Sequence, residues 1–445
     1  STADSYVKQV WDGRYTGIRM CNQLLENIDR VPDLDPELKK RYIGEAKVLR
    51  AYNYYELYTK FGDIPYTTKV LSIKESMSIA RTDRATVIAN MLADLDEVIN
   101  GNYLPTSYDA DNKGRITRWA AMAIKAKIYL FEGNWTQVKN ITSTIMTEGG
   151  FTLFGSYAGL FEIANEYNSE VILDAQYRPT SREHQMMYAF LPPSLGGYSQ
   201  LSPLQELVDS YIMLDGKTIK ETGTSFDESN PYANRDPRLK ATVMYTGNSY
   251  TLADGTEVVI NCEKGEGKDG YGVGSDCSAT GYYIKKYWDN TYRATLYSGL
   301  NPILIRYADI LLMNAEALAE LGELDKMAWD ATIKPIRDRA GFTLTSAVEF
   351  PEGASKDKLI EIVRNERRSE LALEGHRHKD IIRWRIADDV LNGWCHGLKT
   401  NEVVGTDNGY VRVENRAFNA NRHYLWPIPQ AERDLNGNLE QNPNW

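Results

Sequence analysis

The sequence lacks the features that define several large classes of protein. It has only 4 cysteines among 445 residues and no CxxC pair, which excludes zinc-ribbon and thioredoxin-type sites. No uninterrupted apolar stretch approaches the roughly 20 residues that a membrane-spanning helix needs. Lys and Arg number 51 against 61 Asp and Glu, and this net charge of −10 argues against a partner with a phosphate backbone. We therefore predict a globular chain that binds no nucleic acid.

Common catalytic and metal-binding motifs are also missing. The sequence has no HExxH zinc helix, no GxSxG nucleophile elbow and no Walker loop. The segment that starts at Asp109 begins like a calcium loop, but Lys113 replaces a ligand and the twelfth position is Ala120 rather than Glu. We therefore predict no metal and no cofactor, and we interpret this segment as a turn.

Phenylalanine is scarce, whereas aromatic residues with a polar group are abundant. The chain has 29 Tyr and 9 Trp against 10 Phe. Tyr and Trp combine a flat apolar face with a hydrogen-bonding group, so they suit surfaces that are partly wet. Two interpretations stay open at this point, a tyrosine-rich helical core and a binding surface lined with rings.

Two of the cysteines flank a glycine-rich loop. Cys262 and Cys277 stand on either side of a segment that contains five glycines. In an oxidising compartment a disulfide could join them. Two free thiols are equally compatible with the sequence.

Helical periodicity covers the N-terminal part of the chain. Apolar residues recur at helical spacing in the first sixty residues, and the run breaks at Pro32–Pro36, which predicts two helices. A further helix is expected from about 84 to 99, with Asp83 at its N-cap. Helix–glycine–helix patterns then turn at Gly133 and again at Gly322, with Ala on the contact face. Such pairs are typical of tetratricopeptide-like hairpins.

The middle of the chain has a different character. Residues 150–300 are rich in turn-forming Pro and Gly segments, and a helix is expected only over Ser202–Leu214. Short strands are predicted at Val171–Ala175, Thr242–Tyr245, Val258–Ile260 and Tyr282–Tyr287. Helix returns over residues 355–391.

These patterns predict a mainly α fold, and the length suits either one large domain or two or three ordinary ones. A tetratricopeptide-like helix-pair scaffold is expected over 1–148 and 301–391. A loop-rich region with a few short strands, about 150–300, is expected to bind the ligand, because long ordered loops are often functional. The tail, 392–445, is expected to be irregular.

One charge-rich segment is the strongest catalytic candidate. Glu366, Glu370 and Glu374 are spaced one helical turn apart near His376, which would suit a metal or the carboxylate pair of a glycoside hydrolase. Nearby guanidinium groups outnumber the carboxylates and should lower the pKa of each Glu, which is wrong for a general acid. We therefore predict a structural role for Glu366, Arg367, Arg368, Glu370, Glu374, His376 and Arg377.

The same segment carries a family resemblance. Residues 366–377, with Asp380 and Arg383-Trp384, resemble the signature of the SusD/RagB family of nutrient-binding outer-membrane lipoproteins of Bacteroidetes. Further segments agree with the family in order along the chain: Trp11–Asp29, Glu45–Pro65, Arg235–Leu239, Ile305–Ala317, Trp426–Pro429 and Gln441–Pro443.

The resemblance implies a SusD-like fold in a single domain spanning 1–445 and a protein without catalytic activity. Members of this family bind nutrients, mostly glycans and sometimes peptides, at the cell surface and cap a SusC-like TonB-dependent transporter. The resemblance also implies attachment to the outer membrane through a lipid anchor that this chain does not contain. Alternatives that stay open are a glycoside hydrolase that uses Glu370 or Glu374, binding of peptide cargo, and an interaction scaffold without a soluble ligand.

The ligand-binding residues must be argued from physical chemistry, because they vary within the family. A sugar ring offers an apolar C–H face for stacking and a rim of hydroxyls for hydrogen bonds. Rings in loops should supply the stacking surface. The predicted ligand-binding residues are Tyr66, Tyr188, Tyr198, Tyr250, Tyr271, Trp288 and Tyr292. The tryptophans on helical faces, predicted to lie in the core, are Trp119, Trp135, Trp329 and Trp384.

Overall fold

The computed structural model describes residues 2–291 and 296–445. The chain forms two compact units. The helical unit comprises Ser1–Gly149, His378–Leu391 and Phe418–Trp445. The loop-rich unit comprises Gly150–Arg377 and Asn392–Ala417.

The α-helices in chain order are α1 (Ser5–Asn27), α2 (Pro36–Phe61), α3 (Ile73–Ser76), α4 (Arg84–Asn100), α5 (Arg118–Phe131), α6 (Trp135–Glu148), α7 (Met186–Phe190), α8 (Gln205–Ser210), α9 (Pro237–Thr242), α10 (Tyr307–Leu321), α11 (Lys326–Ala340), α12 (Thr345–Val348), α13 (Lys356–Glu370), α14 (Arg377–Arg383), α15 (Ala387–Val390) and α16 (Gln430–Leu435). Short 3-10 helices cover Ile28–Arg30, Ala110–Asn112, Gly159–Phe161, Ile163–Asn165 and Pro193–Leu195. The strands are β1 (Val171–Asp174), β2 (Val243–Met244), β3 (Ser249–Thr251), β4 (Glu257–Val259), β5 (Tyr283–Ile284), β6 (Ile303–Arg306), β7 (Gly393–Lys399), β8 (Thr406–Asp407) and β9 (Tyr410–Arg416).

The long helices of the helical unit begin where capping side chains satisfy their free N–H groups. The carboxylate of Asp35 accepts from Leu38 N, and Pro36 occupies the first helical position, which suits its fixed φ. Asp83 accepts from Thr86 N at the start of α4, as predicted. Further caps are Asp4 for α1, Thr117 for α5 and Asn134 for α6.

Consecutive long helices pack against one another, which confirms the predicted scaffold. In the helical unit α1 packs on α2, α2 on α4, α4 on α5 and α5 on α6, with Gly133 at φ +69° between the last two. In the loop-rich unit α10 packs on α11 and α13, and Gly322 at φ +74° ends α10. Both glycines adopt a left-handed conformation that side chains disfavour, so each allows a sharp reversal between paired helices.

Small antiparallel sheets occupy the loop-rich unit. β1 pairs with β6, β2 with β5 and β3 with β4. β1, β2 and β4 begin and end within one residue of the predicted strands, whereas β5 ends at Ile284, three residues before the predicted end at Tyr287. The predicted helix over Ser202–Leu214 is shorter, because α8 covers only Gln205–Ser210. The Arg235 guanidinium donates to the carbonyl groups of Val208 and Tyr211, so it satisfies acceptors that another helical turn would have satisfied.

The expectation of an irregular tail over 392–445 is corrected by the structure. β7, β9 and β8 form a three-stranded antiparallel sheet in that order, and α16 follows. The reversal between β8 and β9 uses Asn408 at φ +52° and Gly409 at φ +87° between the paired residues Asp407 and Tyr410. A two-residue Asn-Gly loop with both φ angles positive is a strong hairpin signal.

Many tyrosines fill the cores rather than the surface. Tyr54, Tyr58, Tyr211, Tyr250, Tyr282 and Tyr283 are among the largest fully buried side chains. Trp119, Trp329 and Trp384 are buried as predicted, whereas Trp135 is only half-buried. A large part of the tyrosine excess is therefore used in packing. Within the described ranges, the structure holds no helix with both the length and the apolar character needed to cross a bilayer.

Candidate ligand-binding site

Two of the predicted ring residues meet in one surface loop. The rings of Tyr188 and Tyr198 are stacked, with centroids 4.2 Å apart and an interplanar angle of 24°. Tyr188 is half-buried against the core of the loop-rich unit, while Tyr198 is 41% exposed. We call this stacked pair the Tyr188–Tyr198 platform. It offers a flat apolar surface edged by two phenol groups.

The local sequence explains how the platform forms. Tyr188 lies on α7, and the chain then turns back so that Tyr198 N donates to Tyr188 O at 2.9 Å. Gly196 has φ +82°, and a Cβ on Gly197 would lie 2.1 Å from the carbonyl oxygen of Leu191. Only glycine fits at position 197 without moving backbone, so the Gly-Gly pair sets the close approach of the two tyrosines.

The glycine-rich loop between Cys262 and Cys277 supports the platform loop. The Asp269 carboxylate accepts from Ser194 N at 2.8 Å, and the Asp269 carbonyl accepts from the Tyr283 hydroxyl at 2.6 Å. Cys262 and Cys277 are both free thiols. The loop is therefore held by hydrogen bonds between backbone and side chains in this structure.

The predicted residues Tyr250 and Trp288 are less exposed than Tyr198. Tyr250 is fully buried, its hydroxyl donates to Ile284 O at 2.7 Å, and burial raises its pKa well above the usual value. Its ring therefore presents no face to a ligand. Trp288 is half-buried with its centroid 5.0 Å from that of Tyr250, and its indole N–H donates to Thr251 O.

The three other predicted ring residues are Tyr271, Tyr66 and Tyr292. Tyr271 is half-buried against the same core as Tyr188. Tyr66 belongs to the helical unit, where its half-buried ring lies 4.5 Å from that of Tyr54. Tyr292 lies outside the described residues.

Two aromatic features were not predicted from the sequence. Tyr232 and Tyr245 stack with centroids 4.0 Å apart and an interplanar angle of 14°, and the Tyr232 and Tyr282 hydroxyls lie 3.2 Å apart. Trp394 is 42% exposed on the sheet of β7 to β9. Recognising the Asn408–Gly409 hairpin would have placed Trp394 on a strand with alternating faces.

The charge-rich segment forms a buried ion network in the loop-rich unit. Its acidic members are Glu170, Asp236, Glu366, Glu370 and Glu374, and its basic members are Arg238, Lys286, Arg306, Arg337 and Arg339. Glu370 lies 2.6 Å from Arg306 and 2.9 Å from Arg238, and it also binds Arg339. Equal numbers of positive and negative groups keep this network close to neutral.

The network sets the protonation states of its carboxylates. Burial raises the pKa of Glu370, but Arg339, Arg306 and Arg238 outweigh it and hold that pKa well below the ordinary range. Glu366 has its pKa lowered by Arg238 and Arg337 against the opposing effect of burial. Burial lowers the pKa of Lys286 to about 8, although Glu374 opposes the shift.

Glu374 reaches the network from a turn and not from the helix. α13 ends at Glu370, so the prediction of three glutamates on one helical face is corrected. The chain reverses through Leu373 at φ +64° and Gly375 at φ +80°, and Glu374 still accepts from Arg306 Nε at 2.7 Å.

The remaining residues of the segment also make buried or half-buried contacts. Arg367 donates to Asp309 at 2.6 Å, and Arg368 donates to Glu206 O at 2.5 Å. His376 Nδ1 lies 3.5 Å from Arg367, and Arg377 is the first residue of α14.

The structure holds a turn where the sequence resembles a calcium loop, and it holds an open groove in the helical unit. Over residues 2–291 and 296–445 no cluster of three or more His, Cys, Asp or Glu side chains is arranged to hold a metal ion. Asp109 caps a 3-10 turn by accepting from Asn112 N, so the calcium-like segment is a turn, as predicted. In the helical unit an open groove of about 450 Å³ is lined by Arg84, Ala85, Ile88, Ala89, Leu92 and Glu132.

Two family models and two SusD-like proteins match this chain. Residues 160–445 match a family model described as the SusD family, and residues 1–130 match one described as starch-binding associating with outer membrane. A SusD-like protein of Formosa agariphila is 28% identical over 409 residues, which covers 86% of this chain and 71% of that protein. Another from the same organism is 27% identical over 98% of this chain and 80% of its own length.

Two solved structures have the same fold as this chain over almost its whole length. A SusD-like carbohydrate-binding protein from Bacteroides fragilis is 29% identical, with a TM-score of 0.88 over 99% of this chain and 87% of that chain. Another SusD-like protein from Bacteroides fragilis is 28% identical, with a TM-score of 0.85 over 100% of this chain and 87% of that chain.

Proposed function

This chain belongs to the SusD/RagB family, and from that premise we propose that it is a non-catalytic protein that captures a glycan at the cell surface. The observation that carries the proposal is the Tyr188–Tyr198 platform, an ordered pair of stacked rings with one ring exposed. The apolar face of a pyranose would stack on Tyr198, and the phenol groups and neighbouring loop would bind hydroxyls at the rim of the sugar. The similar protein from Bacteroides fragilis, described as carbohydrate-binding, supports a glycan as cargo.

We further propose delivery of the glycan to a SusC-like TonB-dependent transporter. The match of residues 1–130 to a model described as associating with the outer membrane supports that location. Attachment through a lipid anchor is part of the same proposal. Release to a transporter requires modest affinity, with Kd values in the range of about 1 µM to 1 mM.

The lack of catalysis is proposed from the state of the carboxylates. Glu370 and Glu374 are the candidates for glycoside hydrolysis, and both have buried side chains bound to guanidinium groups. A general acid needs a proton near neutral pH, whereas the surrounding Arg residues keep the pKa of Glu370 low. This supports a structural role for both carboxylates.

Isothermal titration against neutral oligosaccharides and peptides tests the proposal. We expect binding of at least one oligosaccharide, and Tyr198→Ala should weaken it about tenfold or more, because a stacking face is lost. The melting temperature should hardly change, since Tyr198 is exposed. Tyr6→Ala is the matched control, because Tyr6 is 63% exposed in the helical unit.

Three outcomes would contradict the proposal. If Tyr198→Ala leaves the affinity for oligosaccharides unchanged, the Tyr188–Tyr198 platform is not the binding site. Binding of peptides alone would replace the glycan as cargo. Release of reducing sugar that Glu370→Gln abolishes would establish a hydrolase.

A further inference from the structure

The sheet of β7, β9 and β8 carries an exposed tryptophan beside ordered polar groups. Trp394 on β7 keeps 42% of its surface exposed. In the described part of the loop-rich unit, the other exposed aromatic side chains are Tyr198 and Tyr297. A single exposed ring is common on protein surfaces, so exposure alone assigns no role. The polar groups around this ring set it apart.

A continuous chain of contacts leads from α8 to the indole ring. Glu206 Oε1 lies 2.7 Å from His396 Nδ1, and Asp407 Oδ2 lies 3.0 Å from His396 Nε2. Arg412 Nε donates to Asp407 Oδ1 at 2.9 Å, and the Arg412 guanidinium lies over the Trp394 ring, 5.6 Å from its centroid. α8, β7, β8 and β9 therefore each contribute a side chain to one arrangement.

These side chains are fixed and yet accessible. Those of His396, Asp407, Arg412 and Glu206 are 24%, 36%, 39% and 43% exposed. A buried ion cluster would serve packing, as the network around Glu370 does. Groups that are held by several contacts while facing solvent are pre-organised for a ligand, because less side-chain freedom is lost on binding.

The charge balance of the arrangement indicates the class of ligand. Both imidazole nitrogens of His396 face carboxylate oxygens, which only the protonated ring can satisfy as a double donor. Burial lowers the pKa of His396, but hydrogen bonds to Asp407 and Glu206 outweigh it and raise that pKa. The positive charges of His396 and Arg412 then balance the negative charges of Glu206 and Asp407. The neighbouring Arg416–Glu414 pair is also neutral. No surplus positive charge is left for a sulfate or uronate.

We propose that Trp394, Arg412 and Asp407 form a second carbohydrate-contact site that takes one neutral pyranose unit. The apolar face of the sugar would lie on the indole, and vicinal hydroxyls would bind the remaining N–H groups of Arg412 and the Oδ2 atom of Asp407. Glu206 and His396 are positioning residues that hold Asp407. This inference rests on the proposed function, since it assumes that the protein handles glycans, but it concerns a site built from other elements than the Tyr188–Tyr198 platform.

Fluorine NMR on the full chain labelled with 5-fluorotryptophan tests the site directly. The probes are neutral hexamers of glucose with α-1,4, β-1,3 and β-1,4 linkages, of xylose and of mannose, with a galacturonate hexamer as the charged comparison. Trp394→Phe assigns the Trp394 resonance. We expect this resonance to shift with at least one neutral hexamer, both in the unsubstituted chain and in Tyr198→Ala.

Two further variants make the test specific. Asp407→Asn should weaken the response about tenfold, because it removes a charged acceptor while keeping the shape of the side chain. Tyr6→Ala should leave the response unchanged, because Tyr6 is not one of the side chains of this arrangement and its ring centroid lies 6.0 Å from that of Trp426.

The contradicting outcomes separate this inference from the proposed function. A Trp394 resonance that no hexamer moves, together with binding that Tyr198→Ala abolishes, overturns the inference and leaves the proposed function standing. A Trp394 response alongside binding that Tyr198→Ala leaves unchanged supports the inference and contradicts the assignment of glycan binding to the Tyr188–Tyr198 platform. A response to the galacturonate hexamer alone overturns the neutral site, and failure of every hexamer to bind contradicts both.

Discussion

At the scale of single residues, Glu370 is the acceptor on which the ion network of the loop-rich unit depends most. Its two carboxylate oxygens bind three guanidinium groups, those of Arg238, Arg306 and Arg339. The family signature is therefore explained physically, because Glu366 and Glu370 project from the end of α13 into a set of buried cations. Such a motif marks a scaffold and carries no information about cargo.

We predict that Glu370→Gln destabilises the protein by about 3–5 kcal/mol, because it leaves buried guanidinium groups without their counter-charge. Urea denaturation followed by circular dichroism measures this change. Glu361→Gln is the control on the same helix, because Glu361 makes an exposed pair with Lys358 that is worth at most about 0.5 kcal/mol. A loss below about 1 kcal/mol for Glu370→Gln would contradict the account of the network.

The difference in the free energy of unfolding between the unsubstituted chain and Glu370→Gln should depend on pH, because the pKa of Glu370 is lowered in the folded protein. The unfolded carboxyl takes up a proton near its ordinary pKa of about 4.3, while the folded one resists protonation. The stabilising contribution is therefore complete above about pH 4.3 and declines as the pH falls toward the folded-state pKa.

We expect the stability gap between the unsubstituted chain and Glu370→Gln to be constant from about pH 7 to 5 and to shrink below about pH 4. Denaturant titrations at a series of pH values measure it, and comparing the two chains cancels the titrating groups that lie outside the ion network. A gap that widens as the pH falls would contradict this assignment.

At the scale of elements, the periodic parts of the sequence predicted the fold well. Long helices with Asp caps, Pro at the first helical position and Gly at the turn are specified locally, so α2, α4 and the pairs at Gly133 and Gly322 could be read from the chain. The end of α8 could not, because it depends on Arg235, more than twenty residues further along.

The candidate site was predictable in composition but not in geometry. The Gly196-Gly197 pair signals a tight turn, yet no sequence pattern shows that it brings Tyr198 onto Tyr188. Tyr250 stands in a turn-rich segment like Tyr198, and only the fold shows that it is buried. Trp394 is a different case, because the Asn408–Gly409 hairpin signal in the sequence indicates the sheet on which it lies.

We predict that Gly197→Ala weakens oligosaccharide binding about tenfold or more, as Tyr198→Ala does. A Cβ there would lie 2.1 Å from Leu191 O, so the loop must open and Tyr198 must leave Tyr188. Gly155→Ala, in the same unit, is the control, because a Cβ there meets nothing within 4 Å. Titration calorimetry of both variants measures the effect. Retention of full affinity by Gly197→Ala would show that the turn does not position the platform.

At the scale of the whole molecule, the chain carries a net charge of −10, and the proposed cargo is neutral. Charged ligands bind with a strong dependence on salt because Coulomb interactions are screened, whereas stacking and hydroxyl hydrogen bonds are not. The charge of the protein therefore favours neutral glycans over polyanionic ones.

We predict that the affinity for a neutral oligosaccharide changes less than about twofold between roughly 50 and 500 mM NaCl. Calorimetric titrations at the two salt concentrations check this, with the galacturonate hexamer as the comparison. A tenfold loss of affinity at high salt would indicate an ionic contact and contradict recognition by rings and neutral hydroxyl contacts.

The most direct test of the central claim is a crystal structure of the protein with an oligosaccharide that it binds. The account predicts an intact chain of sugars with one pyranose stacked on Tyr198, and Glu370 still bound to its three arginines as it is here. A cleaved sugar lodged beside Glu366 and Glu370, with the ion network opened to admit it, would contradict the account.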